Sequence, residues 1–194
     1  MNVYDFDNTI YDGDSTVDFC RYCIRKYPRV LPHFFVVGAA GIGLAAGLSS
    51  KDRFKSVLYG FFKKIPDIDM CVDDFWSGHR KNIQSWYLEQ KESTDLIISA
   101  SPEFLLMPVA RELGVDLIAS QVDKKSGKLL GPNNSNEAKV KRFTEKYGDG
   151  IDAGATAAGI IDEFYSDSDN DLPMAKLAKN AFKVKKGRVY PWAM

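Results

Sequence analysis

The stretch Asn2-Val3-Tyr4-Asp5-Phe6-Asp7-Asn8-Thr9 decides how this chain is read. It opens with β-prone apolar residues and runs directly into two carboxylates two positions apart. That order fits a short buried strand with an acidic tip. Side chains alternate along a strand, so Asp5 and Asp7 share one face and Phe6 takes the other. Two later stretches repeat the pattern. Leu96-Ile97-Ile98 ends in Ser99-Ala100-Ser101, and Gly159-Ile160-Ile161-Asp162-Glu163-Phe164-Tyr165 ends in Ser166-Asp167-Ser168-Asp169-Asn170-Asp171. Open α/β sheets bind ligands beyond the carboxyl ends of their strands. Four or more carboxylates on one such rim repel each other unless a cation is present, so a divalent metal is expected. Oxygen-only donors favour Mg²⁺ over zinc.

Around these tips the apolar spacing alternates between strand and helix. Helical period is expected from a cap at Asp14-Ser15-Thr16 through Ile24, then over residues 51–63 and 68–90. Pro102 to Leu113 reads as a helix, Val115 to Ala119 as a strand, and Gln121 to Leu130 as a hairpin turning at Lys125-Ser126-Gly127-Lys128. Asn136 to Tyr147 and Asp171 to Asn180 read as helices, with a last short strand at Phe182-Lys183-Val184. The alternation predicts an α/β fold: a Rossmann-like parallel sheet core with helices on both faces and right-handed crossovers. The helical stretch after the first strand reads as an inserted α-helical cap. The expected division is a core of residues 1–12 plus 92–194 and a cap of residues 13–91.

The 26 Lys and Arg balance 26 Asp and Glu, which leaves no basic excess for a polyanion and argues against nucleic acid as a partner. Cys20, Cys23 and Cys71 have no framework spacing and read as buried, reduced thiols. The chain starts directly on a strand pattern, so a cytoplasmic protein is expected, free or peripheral to a membrane. Residues 30–48 contain no Lys, Arg, Asp or Glu. The reading adopted is a cap helix or helical pair buried against its neighbours. A surface facing a membrane or an apolar substrate, and a true membrane span, are the alternatives.

The acidic pair can divide a phosphoryl transfer. Asp5 can attack phosphorus, and Asp7 can protonate the leaving oxygen and then activate water. A metal, a lysine, Ser99 and nearby backbone N–H groups can hold the equatorial oxygens.

These residues resemble the haloacid dehalogenase-like hydrolase superfamily. Asp5-Phe6-Asp7-Asn8-Thr9 is similar to its nucleophile motif, Leu96-Ile97-Ile98-Ser99 to its phosphate-binding motif, Lys139 to its charge-neutralising lysine, and Asp167 with Asp171 to its acidic metal pair. The resemblance implies a phosphatase with Asp5 as nucleophile and metal ligand. Asp7 would be acid/base and lend its carbonyl to Mg²⁺, Asp167 would ligate directly, and Asp171 would hold metal-bound water. Ser99, the N–H of Ala100 and Lys139 would bind phosphate, with Lys141 the competing lysine. The insertion after the first motif resembles the cap of the phosphoserine phosphatase-like branch, subfamily IB. That implies a small-molecule phosphomonoester held by Asp14 and Arg53. Ser99-Ala100-Ser101 and Ser166-Asp167-Ser168 depart from the Ser-Gly-Gly and Gly-Asp-Gly usual in phosphoserine phosphatase. Residues 30–48, Ile118-Ala119-Ser120-Gln121 and Tyr165-Ser166-Asp167-Ser168 are also similar to the C-type phosphatidylglycerophosphate phosphatases, which implies a lipid phosphate as the alternative substrate. A phosphotransferase on the same scaffold stays open. A dehalogenase needs no leaving-group acid, and a receiver-like domain carries no such insertion. Among the remaining residues, Asp169 and Asp12 read as solvated, Ser101 as local turn structure, His33 and His79 as packed or solvated, and Trp76 and Trp86 as core.

Overall fold

The computed structural model describes residues 1–148 and 161–193. One six-stranded sheet organises them, in the order β3-β2-β1-β4-β5-β6. Its strands are β1 (Asn2–Tyr4), β2 (Leu96–Pro102), β3 (Asp116–Ser120), β4 (Ile161–Ser166), β5 (Ala178–Lys185) and β6 (Arg188–Pro191). The first five run parallel, and β6 returns antiparallel on β5. Strand alternation sorts the core onto two faces. Val3, Leu96, Ile98 and Phe164 pack with Phe143, Met174 and Ala175 of helices α7 (Glu137–Tyr147) and α8 (Leu172–Ala175). Tyr4, Ile97 and Tyr165 face the other way, toward Leu105, Leu106 and Val109 of α6 (Glu103–Leu113). On that face Tyr4 stacks on Tyr165 with centroids 4.7 Å apart, and Tyr165 on Phe182 at 4.9 Å, tying β1, β4 and β5 together. The expected α/β sheet with helices on both faces is thus the observed architecture.

Five helices stand between β1 and β2: α1 (Ser15–Lys26), α2 (Leu31–Ala45), α3 (Lys51–Tyr59), α4 (Ile68–His79) and α5 (Ser85–Gln90). The helix expected over 68–90 is broken after His79, and Ile83 and Gln84 are extended between its halves. Gln84 N–H there bonds Ile10 O at 2.8 Å, so the break anchors the insertion to the loop after β1. Trp76 is fully buried and donates Nε1–H to Leu105 O. Tyr87 packs edge-on against Tyr4. The rear of the insertion therefore shares the core of the sheet.

The structure corrects three further expectations. The helix expected over 171–180 stops at Ala175, and Ala178–Asn180 already belong to β5. Strand β6 was not foreseen; Lys186 and Gly187, both at positive φ, make the two-residue turn that pairs it with β5. The reading of residues 30–48 as buried is overturned. Only Val37 of α2 is buried, whereas Phe35 is 78% and Ile42 74% exposed. Apolar composition could not tell which sides of this helix have neighbours. The turn at 125–128 is present, with an isolated antiparallel bridge between Val122 and Leu129. Of the strand expected from Gly159, the first two residues lie outside the described residues. The three cysteines are buried and free, with Cys23 Sγ and Cys71 Sγ 3.7 Å apart.

Candidate active site

Strands β1 and β4 are neighbours whose onward connections go to opposite sides of the sheet, the arrangement that opens a crevice at their carboxyl ends. Asp5 N–H donates to Tyr165 O at 2.8 Å, and Asp167 N–H to Thr9 Oγ1 at 3.1 Å. These bonds lock the two acidic loops side by side. Asn8, at φ 55°, turns the chain after Asp7, a left-handed conformation that asparagine tolerates.

Lys139 projects from α7 into this crevice. Its Nζ donates to Asp5 Oδ1 and to Asp171 Oδ2, both at 2.7 Å, and the side chain is only 3% exposed. Lys141 lies 200° further round the helix, is exposed, and faces Glu145 instead. Burial alone would push the Lys139 ammonium down, but Asp5 and Asp171 hold it above its ordinary value. One ammonium cannot compensate two buried carboxylates. Burial, opposed by Lys139 and reinforced by Asp171, raises Asp5 to about 7.

Asp7 has different neighbours. Its Oδ2 accepts from Ser101 Oγ at 2.5 Å, and its Oδ1 accepts from Ser15 N–H, in the first turn of α1, at 2.7 Å. Burial and then Asp14 raise Asp7 to about 6, against these hydrogen bonds. Ser101, read from sequence as local turn structure, thus braces Asp7 and also meets Thr16 Oγ1 at 2.9 Å. The β2–β3 ladder shifts register between Ile98 and Pro102, so Ser99-Ala100-Ser101 bulges at the rim. Ser99 Oγ accepts from Ser101 N–H at 3.1 Å.

A cavity of about 510 Å³ gathers Asp5, Asp7, Asp14, Ser99, Ala100, Lys139, Asp167 and Asp171. Asp14 both lines it and caps α1, accepting from Val17 N–H. Arg53 does not line it and is exposed on α3. The cations that α3 brings to the lining are Lys51 and Lys55, and Lys55 stands two positions beyond Arg53 and nearly opposite it on the helix. Its Nζ donates to Ala100 O and Asn133 Oδ1, each at 2.7 Å, and burial, opposed by Asp7 and Asp14, lowers it to about 8. Asn133 also accepts from Ser120 Oγ, and Asn134 Nδ2 donates to Ser99 O, so this loop fixes the rim of β2 and β3. Sequence reasoning missed Lys55, Asn133 and Asn134; the Gly131-Pro132-Asn133-Asn134 run signals only a turn. Val17, Leu44, Phe54 and Leu58 form an apolar wall. Asp169 is exposed and paired with Lys183. His33 and His79 bond helix carbonyls and do not line the cavity.

The donor chemistry suits a hard cation. The lining carries five carboxylates against Lys51, Lys55 and Lys139. Among the described residues Asp167 has no ion-pair partner, and burial and Asp171 raise its pKa. No three of these side chains are already gathered as a closed cage among the described residues. An ion here would need backbone oxygen and water as well.

A family model described as haloacid dehalogenase-like hydrolase matches residues 3–176. The chain belongs to that family. This hydrolase is 24% identical over 203 residues to a histidinol-phosphatase of Neisseria meningitidis serogroup C (strain 8013), covering 95% of this chain and 89% of that one. It resembles the structure of a protein of unknown function from Bordetella pertussis Tohama I at TM-score 0.74 and 19% identity, over 93% of this chain and 87% of the other. A phosphoserine phosphohydrolase-like protein from Francisella tularensis subsp. tularensis SCHU S4 matches at TM-score 0.53 and 18% identity, over 93% and 86%. These structural likenesses establish the hydrolase's Rossmann-like fold.

Proposed function

We propose that this hydrolase is a Mg²⁺-dependent phosphatase that cleaves small phosphomonoesters through an aspartyl-phosphate on Asp5. The observation that carries this reading is the Lys139 ammonium held between Asp5 and Asp171, with Asp7 braced separately by Ser101 and Ser15. One carboxylate sits beside the Lys139 ammonium and the other beside hydrogen-bond donors, so the two meet a substrate from different surroundings.

Asp5 attacks phosphorus, the ester P–O bond breaks, and the leaving oxygen takes the proton of Asp7. With its pKa raised to about 6, Asp7 holds a proton more readily than an ordinary carboxylate. Burial raises Asp5 further, to about 7, so Asp5 needs the added positive charge that a bound cation would supply to stand ionised as the nucleophile. The resulting Asp7 carboxylate then takes a proton from water, which attacks phosphorus, releases inorganic phosphate and restores Asp5. Lys139, Ser99 Oγ and the N–H of Ala100 serve the equatorial oxygens. Mg²⁺ would be held by Asp5, Asp167 and the Asp7 carbonyl, with Asp171 acting through water, and would supply positive charge to those oxygens.

The named activity of the Neisseria relative supports a small phosphorylated metabolite, phosphoserine-like in having polar groups for Lys55 and Asp14 to meet. A second reading, a lipid phosphate such as phosphatidylglycerophosphate, is favoured by the apolar wall of Val17, Leu44, Phe54 and Leu58. Turnover of histidinol phosphate, phosphoserine and phosphatidylglycerophosphate should be measured before and after chelation by EDTA. The expected result is loss of activity on chelation and recovery with Mg²⁺. Full activity in EDTA would overturn the metal role, and no turnover of any phosphomonoester would overturn the function.

A further inference from the structure

Helix α2 has two unlike sides. His33, Phe34, Gly41 and Leu44 turn inward: His33 Nε2 meets Val57 O at 2.7 Å, Phe34 packs on Phe61 at 5.2 Å, and Leu44 lines the catalytic cavity. Leu31, Phe35 and Ile42 fall within about 40° of one another on the outer side, and Val36 lies about 100° further round from Phe35. They are 47%, 78%, 74% and 56% exposed, and Leu48, just past the helix, is 80% exposed. A row of large apolar side chains at this spacing, each about half exposed or more, is a surface built for a partner.

Charge around the helix selects the partner. From Phe19 to Ser50 there is no Asp or Glu. Arg21 and Lys26 pair with Asp18 and Asp74 from outside that stretch, which leaves Arg25 and Arg29 as exposed cations beside the helix. Arg29, exposed just before α2, shares a surface hollow with Lys63 and Lys64. An apolar helix face edged by cations matches an anionic bilayer, whose headgroups attract Lys and Arg while its acyl boundary takes the apolar side chains. With the 3-10 turn Pro28–Val30 that leads into it, the helix Pro28–Ala45 is 18 residues, about 27 Å, and by length and composition alone could cross a membrane. Its inner side, however, is held to the rest of the protein by the contacts of His33 and Phe34. Both ends of the helix return to the same globular body through α1 and α3.

We propose that α2 is an interfacial helix that seats the enzyme on anionic membranes, lying in the headgroup plane with Leu31, Phe35, Val36 and Ile42 inserted. The surface is independent of the substrate assigned to the cavity, although Leu44 puts the same helix at the cavity wall.

Flotation of the full chain with phosphatidylglycerol–phosphatidylcholine vesicles, against phosphatidylcholine alone, tests it. Binding is expected to anionic vesicles, to weaken with salt, and to fall at least about tenfold in the double variant Phe35→Glu/Ile42→Glu. Circular dichroism and turnover of a soluble chromogenic phosphomonoester in that variant should stay at the level of the parent chain. Those readouts separate a lost docking surface from a lost fold or a wrong active site. No flotation of the parent chain, or equal flotation of the variant, would overturn the proposal. So would a parent chain that only self-associates, with a mass in light scattering that drops in the variant.

Discussion

At the tips of β1 and β4, Lys139, Asp7 and Asp171 each hold two partners, most of them far away in sequence, whereas on the outer side of α2 side chains as large as Phe35 meet none. Both regions depart from the rule that charge sits outside and apolar surface inside. They do so with opposite energetics. Buried charge is tolerated only if the fold delivers its partners, so the rim is specified by internal contacts. The face of α2 asks nothing of the fold, and its constraint must come from outside the chain. If this contrast is right, substitutions at the rim should damage chemistry or stability, and those on the outer face of α2 should damage neither.

The largest effect is expected from Asp5→Asn. Turnover should fall by at least about 10⁴-fold, because the amide cannot form the acyl-phosphate. The side chain is nearly isosteric, so the melting temperature should stay near that of the parent. Retained activity in a well-folded variant would remove Asp5 as nucleophile and with it the functional half of the contrast.

Next comes a pair of lysines on one helix. Lys139→Ala leaves Asp5 and Asp171 buried without their shared cation and should cost about 3–5 kcal/mol in urea unfolding. Lys141→Ala removes an exposed i,i+4 contact with Glu145 and should change stability by less than about 0.5 kcal/mol. Equal costs would mean that the rim does not depend on its internal partners.

A smaller effect is expected at Lys55, where the two regions meet on α3. Lys55→Met should raise KM for anionic phosphomonoesters about tenfold, the loss of one charge-assisted hydrogen bond, with a lesser change in kcat. The ammonium is the form that attracts an anion. With the pKa lowered to about 8, that attraction is present below pH 8 and fades above it. KM of the parent should therefore climb above pH 8, while that of the variant stays flatter. Matching KM profiles for parent and variant would reduce Lys55 to a brace for Ala100 and Asn133.

The sequence made the acidic tips legible because both carboxylates of the first motif lie within three residues and alternate on one strand. Their convergence with Asp167 and Asp171 followed from the α/β topology. Lys139 could not be separated from Lys141 by spacing alone; with 200° between them on α7, Lys139 enters the crevice and Lys141 faces Glu145. Lys55 and Asn133 were invisible because their meeting spans 78 residues and depends on how α3 packs. Arg53 had the right charge on the wrong side of the same helix. The burial of residues 30–48 was misjudged for a related reason. Hydrophobicity states what a helix prefers, and only the surrounding elements state how much of it is covered. Strand β6 was legible in principle, since Lys186-Gly187 lies between β-prone residues.

The finest test uses two adjacent valines of α2. Val37 is 9% exposed on the inner side, and Val36 is 56% exposed on the outer side. Truncating either to alanine removes the same atoms and gains the same helix propensity, about 0.5 kcal/mol. Any difference between the variants therefore reports burial alone. Val37→Ala should lose about 1 kcal/mol net, because the transfer free energy of the buried groups exceeds the propensity gain. Val36→Ala has little burial to lose and should be neutral or stabilised by up to about 0.5 kcal/mol. With anionic vesicles present the order should reverse for affinity, Val36→Ala weakening flotation and Val37→Ala leaving it unchanged. Equal losses of stability from both would place an internal neighbour on the outer face of α2, and the contrast between a self-satisfied rim and an externally constrained helix would fail there.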